Sequence, residues 1–194
     1  VPLEKLAYRA LPDKTHLLIA WAAIEEVLKF AAVLFVAIRS RFFDEPADAL
    51  VYMITAALGF AAIENTLFLL APFANGEFAT GVMTGNLRYV GAALLHTAAS
   101  GAVGIALGLA YYRGRALKMF ASIIGLSIAI ALHALFNFFI INNNGADMFI
   151  VFLHLWVVIV IVVFFFERLK RMMRVTYLPR IMMSAEIKES EKSQ

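Results

Sequence analysis

The sequence predicts an all-α, polytopic transmembrane bundle, and three observations carry that prediction. The 194-residue chain is 62% hydrophobic and only 16% charged, with a mean hydropathy of +0.82, whereas a soluble domain is about half apolar and a quarter charged. Its charge is segregated: of 31 charged residues, 5 lie in 1–14 and 11 in 167–194, leaving 15 for the long middle. Five apolar runs, 15–38, 47–72, 86–112, 116–141 and 147–166, each offer the roughly 20 residues needed to cross a bilayer. Such hydrophobicity excludes a disordered chain. The absence of cysteine excludes a disulfide framework, a zinc ribbon and a thiol nucleophile. A formal charge of +3, scattered along the chain, does not indicate nucleic acid.

Each span is justified by what bounds it. The runs are continuous, unlike the alternating strands of a membrane barrel, so helices are the spanning element. Pro2, Pro12, Pro46, Pro72 and Pro179 fall at or beyond the ends of the runs, where they do not interrupt a helical hydrogen-bond ladder. Turn formers mark the connectors, as in Asn75-Gly76 and Asn142-Asn143-Asn144-Gly145. The 73–85 connector reads as a plain loop or as a lid over a site.

Alternate crossings place 39–46, 113–118 and the tail after 166 on one side, with Arg39, Arg41, Arg113, Arg115, Lys118, Arg168, Lys170, Arg171 and Arg174. The other side has Lys5, Arg9, Lys14 and, near a helix end, Arg88, which reads as a snorkelling side chain. Cytoplasmic loops are enriched in Lys and Arg, so the first side and the C-terminus are expected to be cytoplasmic. Tyr52, Tyr111 and Tyr112 mark that interface and Tyr89 the opposite one. The expected organisation is an extracytoplasmic lead-in over 1–14, a transmembrane bundle over 15–166 and a basic or amphipathic cytoplasmic tail over 167–194, solvated from 184 onward. The basic residues of 1–14 sit poorly on an outer face, and Val1 is not an initiator. Earlier helices are therefore expected to precede the chain.

Inside the spans stand Glu25, Glu26, Lys29, Glu64, His96, His133, Asn137 and His154. An ionisable group at mid-bilayer costs about 2.5–3.5 kcal/mol, so each needs a partner or a task. Three glutamates and one lysine leave two negative charges that ion pairing cannot cancel, and these call for histidine partners or water. Glu25 and His96 lie 10 residues from the outer ends of their spans, and Glu64 and His133 lie 8. At 1.5 Å rise per residue all four reach roughly 12–15 Å below the outer surface. Four helices thus bring polar groups to one layer.

Spacing adds direction. Glu25 and Lys29, four apart, share a face and are expected to pair. Glu26 points about 100° away from Glu25, so the two acids differ in role. His133 and Asn137, also four apart, address one cavity. His96, Ser100, Gly104 and Gly108 form a stripe of small residues that lets a neighbouring helix approach closely. Glu25–Lys29 is equally readable as a structural ion pair, Glu26 as an interhelical hydrogen-bond donor, and Asn137 as interhelical glue. Glu64 with Asn65, and the two histidines in the acidic layer, read as functional. His154, without a polar companion, reads as packing.

At these residues the sequence resembles the PrsW intramembrane protease family, within a broader group that includes the type II CAAX prenyl proteases. The resemblance rests on Glu25-Glu26-Val27-Leu28-Lys29 (EExxK), Phe60-Ala61-Ala62-Ile63-Glu64 followed by Asn65 (FxxxE-N), His96, and His133-Ala134-Leu135-Phe136-Asn137 (HxxxN). An acidic connector, Phe43-Asp44-Glu45-Pro46-Ala47-Asp48, matches as well, and the likeness covers about residues 20–140. It implies a bacterial or archaeal multi-pass protease. Members of the family make the first, extracytoplasmic cut in a membrane-anchored anti-sigma factor, and they carry further helices before EExxK. Glu64 stands where the CAAX proteases have His, so their mechanism is not carried over at that position.

With no thiol and no evident serine–histidine pair, activated water is the expected nucleophile. Glu25 or Glu26 is expected to be its general base. Glu64 or His96 would orient the water or return the proton, His133 and Asn137 would donate to the oxyanion, and Lys29 would hold Glu25 in register. No cofactor is expected. The alternative is a zinc site drawn from Glu25, Glu64, His96 and His133, in a sequence that lacks HExxH. A proton-coupled transporter or a non-catalytic membrane binding protein are readings from other classes. The expected partners are a membrane-anchored protein substrate and the lipid bilayer.

Overall fold

The computed structural model describes the backbone of residues 13–38, 40–142 and 148–192. The expectations for Lys5, Arg9 and Arg39 fall outside the described residues, as do those for the side chains of Arg88 and Arg174. Five helices account for the described secondary structure: α1 (Lys14–Val36), α2 (Pro46–Ala74), α3 (Phe78–Leu109), α4 (Arg115–Asn142) and α5 (Met148–Lys192). Four segments are long and apolar enough to cross a membrane: Pro46–Ala74, Tyr89–Leu109, Arg115–Ile140 and Phe149–Met172. The first helix, 23 residues long, carries Glu25, Glu26 and Lys29 at its centre. Length and apolarity alone therefore do not make it a fifth span.

Local chemistry starts and stops the helices. Asp13 caps α1, its carboxylate accepting the His16 N–H at 3.0 Å. Pro46 opens α2, where a missing N–H costs nothing. Asp48 in the first turn accepts the backbone N–H groups of Asp44 at 3.0 Å and Glu45 at 2.8 Å. The Tyr52 and Tyr111 hydroxyls donate to the carbonyls of Phe42 (3.4 Å) and Phe43 (3.2 Å), so both tyrosines fasten the α1–α2 connector.

Within that connector, burial first and then the Asp48 and Asp44 carboxylates raise Glu45 above the usual carboxylate range. A carboxyl raised in the folded state contributes stability at acid pH and loses it as pH climbs through the folded value. Glu45→Gln is accordingly expected to raise the melting temperature near neutral pH and to leave it unchanged below about pH 4. An equal effect at both pH values would contradict this.

The α2–α3 connection corrects the expected loop or lid. Helix α2 continues through Pro72 to Ala74, and α3 begins at Phe78. Between them Glu77 N–H donates to Pro72 O (2.9 Å) and Gly76 N–H to Phe73 O (3.1 Å), with Gly76 at φ +77°. This is a Schellman turn with glycine in its left-handed position. The link is three residues long, and 78–85 is helix. The last helix also differs from expectation, since its backbone stays helical past Pro179 to Lys192.

Helix α3 is the axis of the bundle. Ala99 and Val103 join Val33 and Ala37 of the α1 end, Met53 of α2 and Ala129 of α4 in one buried cluster. Val162 and Leu169 pack α5 on Ala47 and Leu50. Leu155 of α5 meets Leu95 and Ala98. Alanine is the commonest residue in these contacts, beside Leu and Val; with apolar lipid outside, close van der Waals packing is what favours helix association. Large apolar side chains such as Phe35, Phe149 and Val160 point outward, as a lipid-facing surface requires.

Candidate active site

The four polar motifs converge. Helix α1 contributes Glu25, Glu26 and Lys29, α3 contributes His96 and Ser100, and α4 contributes His133, all buried. Glu64 enters from α2 with its side chain 32% exposed.

Glu26, fully buried, is the hub. Its Oε1 accepts from Lys29 Nζ and, at 2.8 Å, from His133 Nδ1, while its Oε2 accepts from Ser100 Oγ at 3.2 Å. Lys29 also lies 2.9 Å from His96 Nδ1. An ammonium has only donors, so Nδ1 of His96 accepts and its ring proton is assigned to Nε2, which donates to Glu64 Oε2 at 3.0 Å. His133 stands between the two acids: its Nδ1 donates to Glu26 Oε1 at 2.8 Å, and its Nε2 lies 3.6 Å from Glu25 Oε2, presenting a lone pair there when the ring is neutral. The two rings meet edge to face, 5.1 Å apart. Phe60 braces the arrangement, edge-on to His96 at 5.5 Å and 5.1 Å below the Lys29 ammonium.

The structure therefore brings Glu25, Glu26, Lys29, Glu64, His96 and His133 together from four helices, with differences in detail. Lys29 turns to Glu26, three residues back, and not to Glu25, four back. Asn137, on α4, is half-buried, and no side-chain contact joins it to the cluster among the described residues. His154 is exposed, its Nδ1 donating to Ile150 O at 2.7 Å. Ser100 is the residue that sequence reasoning missed. Read there as a small packing residue, it lies four positions after His96 and so on the same face, which was the available signal. Asn65 is 6% exposed, beside Glu64. A separate cavity of about 650 Å³ opens near the distal end of the last span, lined by Tyr112, Val163, Phe164, Arg168 and Arg171 among others. None of its lining residues belongs to the cluster.

Glu25, His96 and His133 each offer one ligand atom within 4.8 Å of the others. One carboxylate and two imidazoles are a donor set that suits zinc. Glu26 behind His133 Nδ1 is the outer carboxylate that commonly orients a metal-binding imidazole. The residues thus fit a metal ion. Glu64, expected among the ligands, stands outside this triple and engages His96.

A helical bundle with four segments apolar enough to cross a membrane, built around a buried acid–imidazole cluster, defines the class as a polytopic helical membrane protein with an embedded polar centre. Residues 8–166 match the family described as PrsW family intramembrane metalloprotease. The chain belongs to the PrsW family. Over 50 residues it is 46% identical to Protease PrsW of Geobacillus kaustophilus (strain HTA426), a match spanning 26% of this chain and 22% of that relative's length. No solved structure matches the chain.

Proposed function

We propose that the chain hydrolyses a peptide bond of a membrane-anchored protein, anti-sigma-factor-like, toward the extracytoplasmic side, with water activated by Glu25. The observation that carries this reading is the contrast between the two acids. Every oxygen of Glu26 is committed to Lys29, His133 and Ser100, whereas Glu25 Oε2 faces the lone pair of His133 Nε2 at 3.6 Å. Two acceptors at that separation bind the two protons of one water and leave its oxygen free to attack. Glu25 takes a proton as the oxygen adds to the carbonyl carbon. His96 and Glu64 return a proton to the leaving nitrogen as the C–N bond breaks. With His133 accepting through Nε2, the donor to the oxyanion is Asn137. Helix α1 is a fifth crossing in this reading, its charges offset within the cluster. The C-terminus is cytoplasmic, by the side on which Arg and Lys gather.

A second reading is favoured by the donor set and by the family's description: Glu25, His96 and His133 hold zinc. Zinc held there would supply an acidified water and a Lewis acid for the carbonyl. His96 would then be a ligand, with Glu64 beside its ring as an outer carboxylate. Activity surviving thorough chelation, without stoichiometric zinc by elemental analysis, separates the two.

The test uses a fluorescein-labelled library of single-span peptides, each with about 20 apolar residues and a randomised outer flank, reconstituted with the chain and read by mass spectrometry. Specific cuts are expected, falling about 10²–10⁴-fold in Glu25→Gln at an unchanged melting temperature. No cut in any library member refutes the peptidase reading.

A further inference from the structure

Asn65 is buried to 6% exposure, and neither its Oδ1 nor its Nδ2 has a hydrogen-bond partner among the described residues. A buried carboxamide without partners costs free energy that an apolar residue of the same size does not, so the fold gains nothing from this side chain. It continues the buried stripe Ala57–Ala61 on α2, one turn further along, and so faces the interior of the bundle. Its sequence neighbour is Glu64, whose carboxylate reaches the His96 ring at 3.0 Å. An unsatisfied donor–acceptor group thus lies in the interior of the bundle, one residue along α2 from a member of the acid–imidazole centre.

We infer that Asn65 is a substrate-binding residue, whose carboxamide takes up the main chain of the substrate beside the cleaved bond. This rests on the peptidase reading and extends it. A membrane helix must unwind locally before its peptide bond meets a nucleophile, and unwinding frees N–H and C=O groups that hydrocarbon cannot satisfy. A carboxamide supplies an acceptor for the one and a donor for the other. Recognition through the main chain is indifferent to the substrate's side chains. It selects for segments that unwind easily, those with Gly or Pro near the cut, over uninterrupted leucine-rich helices.

The experiment is Asn65→Leu, made in the wild-type chain and in the Glu25→Gln background, with the same peptide library as probe. In Glu25→Gln protein the leucine is expected to weaken peptide binding about tenfold. In the active chain KM rises by a similar factor while kcat changes little, and the melting temperature holds or increases. A structural role would move these the other way, lowering the melting temperature and sparing KM in the fraction that folds. Asn65→Ala gives a second reading if leucine does not fit. Unchanged binding and KM in a folded variant overturn the inference and leave the peptidase reading intact. A parent chain that binds library peptides without cutting them refutes the peptidase reading, and the loss or persistence of binding in Asn65→Leu still decides the role of Asn65. Failure of the parent to bind any peptide overturns both.

Discussion

Glu26→Gln is expected to destabilise the protein by roughly 3–5 kcal/mol, although Glu25→Gln one residue away leaves stability unchanged. The Glu26 carboxylate is fully buried and holds three groups: Lys29, His133 and Ser100. Removing its charge strands the Lys29 ammonium, 2% exposed, in the interior of the bundle. It also releases His133 from the tautomer that the carboxylate imposes, so activity falls along with stability. Converting Lys29 to Met in the same chain removes the stranded cation and is expected to recover part of the loss. A double-mutant cycle on Glu26→Gln and Lys29→Met then gives a coupling energy within the range for groups in one network, about 0.5–3 kcal/mol. Melting temperatures in detergent provide the measurement. Equal values for Glu25→Gln and Glu26→Gln would show that the two acids are interchangeable, contrary to the roles derived from their contacts.

Substitutions at Gly104 and Gly108 should have the next largest effect. A Cβ at Gly104 would sit 2.6 Å from Leu50 Cα and 3.0 Å from Ala49 O, and one at Gly108 would sit 2.6 Å from Pro46 O. These are backbone atoms of α2, which cannot rotate away as a side-chain end does. Alanine at either position therefore drives α2 from α3, at the roughly 1–3 kcal/mol typical of overpacking. The displacement also separates Glu64 on α2 from His96 on α3, now 3.0 Å apart. Activity is expected to fall further than the loss of folded protein explains. Gly59 is the internal control: nothing lies within 4 Å of a Cβ there, so Gly59→Ala removes only glycine's helix penalty and stabilises by about 0.5–1 kcal/mol. If all three glycines respond alike, the close approach of α2 and α3 is not what holds the site together.

The helical class and most members of the polar cluster were legible in the sequence, because both depend on periodicities that every helix obeys; Ser100 was not. Twenty apolar residues imply a span, and equal distances from span ends place Glu25, Glu64, His96 and His133 in one layer. Two features were misread for a shared reason. The turn at Asn75-Gly76 was recognisable, but the helix that follows it over 78–85 carries two glycines and two threonines, which are poor helix formers. It is held by packing of Gly81 on Phe73 and Gly85 on Leu69, contacts that no local pattern announces. Lys29 has two acids within reach, at i−3 and i−4, and helical spacing favours neither strongly.

The amino-acid sequence by itself determined that this is a helical membrane protein and that Glu25, Glu26, Lys29, His96 and His133 belong to its interior, since hydropathy and helical spacing are properties of the chain alone. The tertiary structure decided which acid is committed and which faces the site, that Ser100 joins the network and that Asn65 is buried without a partner. Those outcomes depend on the rotation of four helices about their axes, and that rotation is set by how closely neighbouring backbones approach through alanine and glycine.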